Sequence, residues 1–435
     1  MVEIALASND DRRVRQLIES AASASAGGRP QDAERLLRQA QLEAPHHPLV
    51  RNEMAQQLLL AGDAAGAYTL LESAVKEDPS HPSLWLNLAA ALRGLKRADE
   101  EMAALDKVLA LEPRHLRAML QKGSLQELQG KPRAAAVTYR SALQTIAPGS
   151  PLPHSIRPML DRAVHAVAAN DRALEAFLEE RLKDLRARYA DEPLGRFDRC
   201  LATILRKQPV YRPQPSFMYF PQLPALEFYE RSSFPWLDSI EAATEEIRAE
   251  LINVLSDGPA ILEPYIGYAP GVPLNQWAEL NHSRRWGVYY FWREGVAFPE
   301  HLARCPRTVA ALDAWPKWEV PRCGPTAMFS ILDAKTRIPP HTGVNNTRLV
   351  VHLPLVVPPG CGFRVGGERR EWQPGKAFVF DDTFEHEAWN DSDVPRAVLI
   401  LDIWSPFVSP VERELVGKLT ADVGEYYEMP VRHGG

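Results

Sequence analysis

Two histidines and one arginine in the C-terminal part of this sequence are the side chains best suited to metal chemistry. His341 stands in IPPHTG and His386 in FDDTFEHEAWN, and Arg396 follows ten residues later at the start of RAVLILDIW. Neutral imidazole is a good ligand for Fe(II), and coordination positions left open can take a co-substrate and O2. A fixed guanidinium is the natural partner for the far carboxylate of a dicarboxylate. A lone histidine is more often structural than a ligand, so weight falls on the pair, the arginine and their β setting.

That setting is readable from about Arg284 onward. WGVYYFW is aromatic and β-prone, TRLVVHLPLVV alternates, and GFRVGGERREW carries a Gly366–Gly367 pair suited to a tight hairpin. KAFVFDD and RAVLILDIW are two further strands. Short antiparallel strands separated by turns predict a sandwich or jelly-roll barrel. Such a barrel brings His341, at the mouth of a strand, and His386, in a loop between strands, to one open end, with Arg396 deeper. Alternation puts Arg348, Val350 and His352 on one face. Tyr289, Tyr290 and Trp292 read as barrel core, Cys323 and Cys361 as small buried residues, and Glu241–Glu250 as a solvated helix face.

The first third repeats with a period of 34. Gly28, Gly62, Lys96 and Gly130 keep this step, as do Ala33, Ala67, Glu101 and Ala135; Pro45, Pro79, Pro113 and Pro148 follow at 34, 34 and 35. A proline just after each helix-like run ends the second helix of a pair. The spacing resembles the tetratricopeptide repeat, over residues 14–148. Stacked repeats present a concave face that commonly holds a peptide or partner protein. Residues 149–207 read as capping or bridging helices, and the proline cluster between Gln208 and Leu226 marks the start of a third region, 208–435. The expected fold is therefore multidomain: an all-α tetratricopeptide-repeat solenoid, then a double-stranded β-helix (jelly-roll) domain with flanking helices.

The stretch from Phe329 to Pro406 resembles the aspartyl/asparaginyl β-hydroxylase family. The matching text is FSILDAKTRIPPHTG, TRLVVHLPLVVP, W-x-x-GK-x-FVFDDTFEHEAWN and R-x-VLILDIWSP, with weaker similarity back to about Pro215. The animal members also carry tetratricopeptide repeats ahead of the catalytic domain. The resemblance implies a dioxygenase that uses Fe(II), 2-oxoglutarate and O2 to hydroxylate an unactivated carbon. By the same resemblance His341 and His386 are the iron ligands. Arg396 and Ser330 then hold 2-oxoglutarate, His352 contacts it, Trp286 lines its pocket, and Arg348 shares that pocket face. The usual facial triad needs a carboxylate two residues after the first histidine. Here that residue is Gly343, and the family has glycine there too. Asp381, Asp382 and Glu385 flank His386, with strand-end capping or support of the ligands favoured over ligation. Val350 departs from the animal members, which carry a second arginine there, so an aspartyl substrate does not follow automatically. The animal members' disulfide has no counterpart, because Cys305 stands alone in LARCPRTVAAL.

Bulk properties bound the rest. A chain of 435 residues exceeds one compact core, and a net charge of −6 does not suggest a nucleic-acid binder. No apolar run is long enough to span a membrane, and MVEIALASNDDRR is too polar for a signal peptide. Four cysteines without CxxC spacing fit a reducing cytoplasm. Three functions are expected in turn: hydroxylation of Asp or Asn in a peptide presented by the repeats; hydroxylation of a small molecule, carrier-bound amino acid or lipid acyl chain; and a repeat-based binding protein with an inactive oxygenase domain.

Overall fold

The computed structural model describes residues 12–21, 23–24 and 27–427. Residues 1–11 of the polar N-terminal stretch lie outside these. The chain divides into two compact units, Met1–Glu192 and Pro193–Gly435.

In the first unit the 34-residue period becomes helical hairpins. Pro48–Leu60 packs on Ala64–Glu77, Pro82–Gly94 on Ala98–Leu111, and Leu116–Leu128 on Pro132–Gln144. Gly62 and Gly130 lie two residues past the first helix of their pairs, and with Gly28 they adopt left-handed backbone, with φ of 72° at Gly28, 85° at Gly62 and 70° at Gly130. This is the usual glycine stop of a helix C-terminus. Lys96 holds the same place at φ 59°. A side chain there is strained, so Lys96→Gly is expected to stabilise this unit by about 0.5–1 kcal/mol, less than the full left-handed penalty because glycine also loosens the unfolded chain. Chemical denaturation of the full chain followed by helical ellipticity measures this, and an unchanged or lowered midpoint contradicts it. The small repeated residues are where the helices touch: Ala67 and Ala135 are fully buried. Glu101, the exception, is buried with its carboxylate on Arg93 (2.5 Å). The helix Arg157–Arg188 lays Ala163, Met159 and Leu160 against Tyr139 and Ala142 of the last hairpin.

The second unit begins earlier than the proline cluster. The helix Gly195–Ile204, placed with the bridge by its sequence, groups with this unit, and its Arg199 pairs with Glu227 and with Glu368 (3.0 Å). Twelve strands are defined among the described residues: β1 Phe228–Tyr229, β2 Glu263–Pro264, β3 Trp286–Arg293, β4 Val296–Ala297, β5 Ala327–Leu332, β6 Thr336–His341, β7 Arg348–Val356, β8 Cys361–Val365, β9 Glu368–Arg370, β10 Phe378–Phe380, β11 His386–Asn390 and β12 Arg396–Trp404. The larger sheet runs β1-β10-β7-β12-β5-β3-β2, with β4 beside β3, and the smaller runs β6-β11-β8-β9. This is the expected jelly roll. The Gly366–Gly367 pair turns β8 into β9, with Gly366 at φ 54°. Pro339 and Pro340 are tolerated because β6 is an edge strand, where a missing N–H leaves no ladder bond unmade.

Alternation in the larger sheet separates two jobs. Leu349, Val351, Leu353 and Leu355 of β7, with Leu399, Leu401 and Ile403 of β12, face a core closed by the helices Leu237–Ala242 and Thr244–Leu255. The alternate residues, including Val350 and Val398 and also Phe380 of β10, face the smaller sheet and cluster with its Ile338 and Phe363. The same rule corrects the aromatic run of β3. Tyr289 is core, but Tyr290 is on the other face and lines the inter-sheet cavity. The acidic run also does more than meet water. Glu250 accepts from the N–H groups of Arg307 and Thr308 (both 2.8 Å) and caps the helix Pro306–Ala311, while Glu241 accepts from the Ala377 N–H (2.7 Å). Cys323 and Cys361 are only half-buried, Cys323 at the cavity wall and Cys361 donating to Asn390 Oδ1 (3.3 Å). The terminal helix Pro410–Tyr426 was not anticipated, although Ser409 and Glu412 spell its capping box.

Candidate active site

A cavity of about 650 Å³ opens between the sheets of the second unit. His341, His386, Arg396, Ser330, His352, Arg348, Trp286 and Val350 all line it. The two histidines meet because β11 pairs antiparallel with β6 in a register that sets His386 opposite His341. His386 is thus the first residue of a strand, not a loop residue as expected. The ring centroids lie 4.0 Å apart.

Each imidazole is oriented by the backbone two residues before it. His341 Nδ1 donates to Pro339 O (2.9 Å) and His386 Nδ1 to Phe384 O (3.0 Å). Carbonyls only accept, so both rings carry the proton on Nδ1 and keep Nε2 as a lone-pair donor. Burial is the first cause that lowers both pKa values, to about 3 for His341, helped by the neighbouring His386, and to about 4 for His386. Both rings are therefore neutral near pH 7, the form that binds a metal.

Among the described residues no third His, Cys, Asp or Glu completes a metal cluster. The acidic residues flanking His386 are engaged elsewhere. Asp381 accepts from the N–H (2.9 Å) and hydroxyl (2.6 Å) of Thr383, Glu385 pairs with Arg364 (2.8 Å), and Asp382 pairs with Arg348. Asp382 also explains Gly343. A Cβ on Gly343 would lie 2.3–2.4 Å from the Asp382 carboxyl atoms, and the Gly343 N–H donates to Asp382 O (2.7 Å). The space that a side chain on residue 343 needs is already filled by a buried, ion-paired carboxylate. Gly343→Ala is expected to cost about 1–3 kcal/mol, as overpacking does, and Gly343→Asp more, without a gain in metal affinity. Thermal unfolding and metal titration of both variants check this; tighter metal binding by Gly343→Asp would contradict it.

Arg396 is 1% exposed, and no carboxylate among the described residues pairs with it. Its guanidinium lies 4.6 Å from the Trp372 ring centroid, its Nη1 makes one long contact to Ser330 O (3.5 Å), and its Nε has no partner. Burial pushes its pKa down to about 10. A buried cation without an anion is costly, so this end of the cavity is complementary to an anion. Beside it Trp286 Nε1 donates to Ser330 Oγ (3.1 Å), which leaves the hydroxyl proton free to donate. His352 is buried with Nδ1 unpartnered, and burial followed by the Arg396 charge holds its pKa well below the usual value.

At the opposite end Arg348 stands on the expected pocket face, but it is held by two acids and is not free to bind a co-substrate. Arg348 donates to Asp382 and to Asp402 Oδ2 (3.4 Å), with its guanidinium 5.8 Å from the Trp318 ring centroid. Asp402 and Arg348 face the cavity because each falls on the inward phase of its strand. Trp318 lies in the connection between β4 and β5, where no strand or helix spacing marks it. Trp372 stood in the matched text W-x-x-GK without a role.

The sequence model of the family described as "Aspartyl/Asparaginyl beta-hydroxylase" matches residues 241–406, and that of the "Tetratricopeptide repeat" matches 58–122. The human protein named aspartyl/asparaginyl beta-hydroxylase is 32% identical over 184 residues, 41% of this chain and 24% of that protein. The ornithine lipid ester-linked acyl 2-hydroxylase of Rhizobium tropici is 35% identical over 185 residues, 42% of this chain and 62% of that protein. The chain thus spans less than two thirds of either relative. Of solved structures, a thermophilic TPR protein of Thermus thermophilus is 22% identical with a TM-score of 0.30, covering 41% of this chain and 97% of that one.

Proposed function

We propose that this chain, which belongs to the aspartyl/asparaginyl beta-hydroxylase family through residues 241–406, is an Fe(II)- and 2-oxoglutarate-dependent hydroxylase. The observation that carries this reading is the buried, unpaired Arg396 in the same cavity as two neutral histidines aimed by backbone carbonyls. His341 and His386 would hold the metal through Nε2. Arg396 would pair with the far carboxylate of 2-oxoglutarate, with the Ser330 hydroxyl as a second donor. Iron, 2-oxoglutarate and O2 together supply the oxidising power to hydroxylate an unactivated carbon, with succinate and CO2 as by-products. The chain's own contribution is placement and exclusion of water. Trp286 aims the Ser330 hydroxyl, Trp372 backs the guanidinium, and Phe363 and Phe380 wall the space near His352 and His386.

For the acceptor, one reading is an aspartyl or asparaginyl residue of a peptide presented by the repeats. The repeats fit a protein or peptide partner. The second reading is a small molecule or acyl chain, as the name of the Rhizobium relative suggests, and the ion pairing of Arg348 favours it. No helix among the described residues is long and apolar enough to cross a membrane. Anaerobic titration of the full chain with Fe(II) and then 2-oxoglutarate tests the shared core of both readings. A metal-centred absorption band is expected. Its absence would identify the β domain as an inactive remnant attached to a binding protein.

A further inference from the structure

The cavity is polarised along β12. Its inward residues run Arg396, Val398, Ile400, Asp402, and at about 3.3 Å per residue the two charged ends stand roughly 20 Å apart. β7 runs antiparallel beside it, with His352 opposite Ile400 and Val350 opposite Asp402. One end holds the unpaired guanidinium of Arg396. At the other, the guanidinium of Arg348 already serves two buried carboxylates, Asp382 and Asp402. Arg348 is thus already committed to Asp382 and to Asp402, whose carboxyl pKa burial raises, so the cluster leaves no unpaired positive charge for a substrate carboxylate. Asp382 Oδ1, buried and without a partner, repels an incoming carboxylate in this low-dielectric space. Two other arginines line the cavity. Arg293 pairs with Glu263 (3.3 Å), and Arg322 is exposed at the surface. The cavity lining includes the apolar or aromatic Tyr265, Tyr290, Trp318, Met328 and Val350, with Thr326 and Asn345 among its polar residues.

We propose that the Arg348–Asp382–Asp402 cluster selects the acceptor: this end of the cavity takes an uncharged aliphatic segment, either an acyl chain or an aliphatic side chain, and excludes a carboxylate. The proposal rests on the hydroxylase reading, because it assumes that Arg396 and the histidines are reserved for the co-substrate and metal. Selectivity here is a difference between two affinities, set by the group that repels as well as by the walls that attract.

The test is equilibrium binding to the full chain loaded with Zn(II) and N-oxalylglycine, so that nothing turns over, read by tryptophan fluorescence. The probes are two peptides identical except for Leu or Asp at the centre, and a single-chain acyl amphiphile below its micelle concentration. At least one aliphatic probe is expected to bind about tenfold or more tighter than the Asp peptide. Tighter binding of the amphiphile assigns the segment to a lipid, and tighter binding of the Leu peptide to a protein. An Asp peptide that binds as well as both aliphatic probes overturns the proposal, as does failure of both aliphatic probes to bind. Asp402→Asn keeps the shape and removes one acid. It is expected to narrow the preference against Asp by about threefold or more, and an unchanged preference shows that the cluster does not set it. A missing Fe(II)–2-oxoglutarate band sinks the hydroxylase reading itself, whereas a normal band with an Asp preference sinks only this inference.

Discussion

His341→Ala and His386→Ala each abolish metal-dependent consumption of 2-oxoglutarate. The expected loss is about 100-fold or more, since removing a group that merely orients a metal ligand already costs about 10–100-fold. The size of the effect follows from the donor set. With no third His, Cys, Asp or Glu in the cluster among the described residues, each imidazole would supply half of the protein's hold on the ion. None of the flanking acids can step in, because Asp381 is held by Thr383, Asp382 by Arg348 and Glu385 by Arg364. The readouts are metal stoichiometry after dialysis and succinate formation. His341 also packs edge-on to Trp277, with centroids 5.0 Å apart, so a near-ultraviolet spectrum should accompany each variant to show that the cavity persists. Full turnover in either variant refutes the ligand assignment.

Arg396→Met separates function from stability in opposite directions. In the apoprotein Arg396 is a buried cation with no paired carboxylate among the described residues. Replacing such a group with an apolar side chain of similar length removes a desolvation cost, and buried charges replaced this way often give about 1–4 kcal/mol of added stability. The methionine thioether is expected to keep the packing against Trp372. Binding of 2-oxoglutarate moves the other way. Truncating one partner of a buried charge pair costs about 2–5 kcal/mol, or roughly 30- to several-thousand-fold in affinity. The expected result is a higher melting temperature without ligand and no further rise when 2-oxoglutarate is added, while the wild type starts lower and gains. A variant that melts lower without ligand, or that still gains from 2-oxoglutarate, contradicts the role given to this arginine.

The resemblance pointed to the histidine pair and Arg396 because these residues sit in continuous text whose spacing is tied to chemistry. The repeats were legible because a period of 34 places a left-handed residue and a buried small residue at equal steps, as Gly62 and Ala67 show. Strand phase also carried across: Arg348, Val350 and His352 do share one face. Tyr290 and Tyr289 are adjacent in sequence and face opposite sides, so an aromatic run alone does not say which ring meets the cavity. Glu250 looked like one more solvated acid until the helix it caps, more than fifty residues away, was placed beside it.

By itself the sequence determined the repeat architecture, the β class of the C-terminal half and the identity of the groups that could hold a metal and a dicarboxylate. These depend on periodicity and local chemistry, which are written along the chain. Only the tertiary structure decided that His386 faces His341 across an antiparallel register, that no acid among the described residues pairs with Arg396, and that Asp382 fills the space beside Gly343 while sharing Arg348 with Asp402. Charge pairing across 34 and 54 residues is set by sheet topology, and no local pattern encodes it.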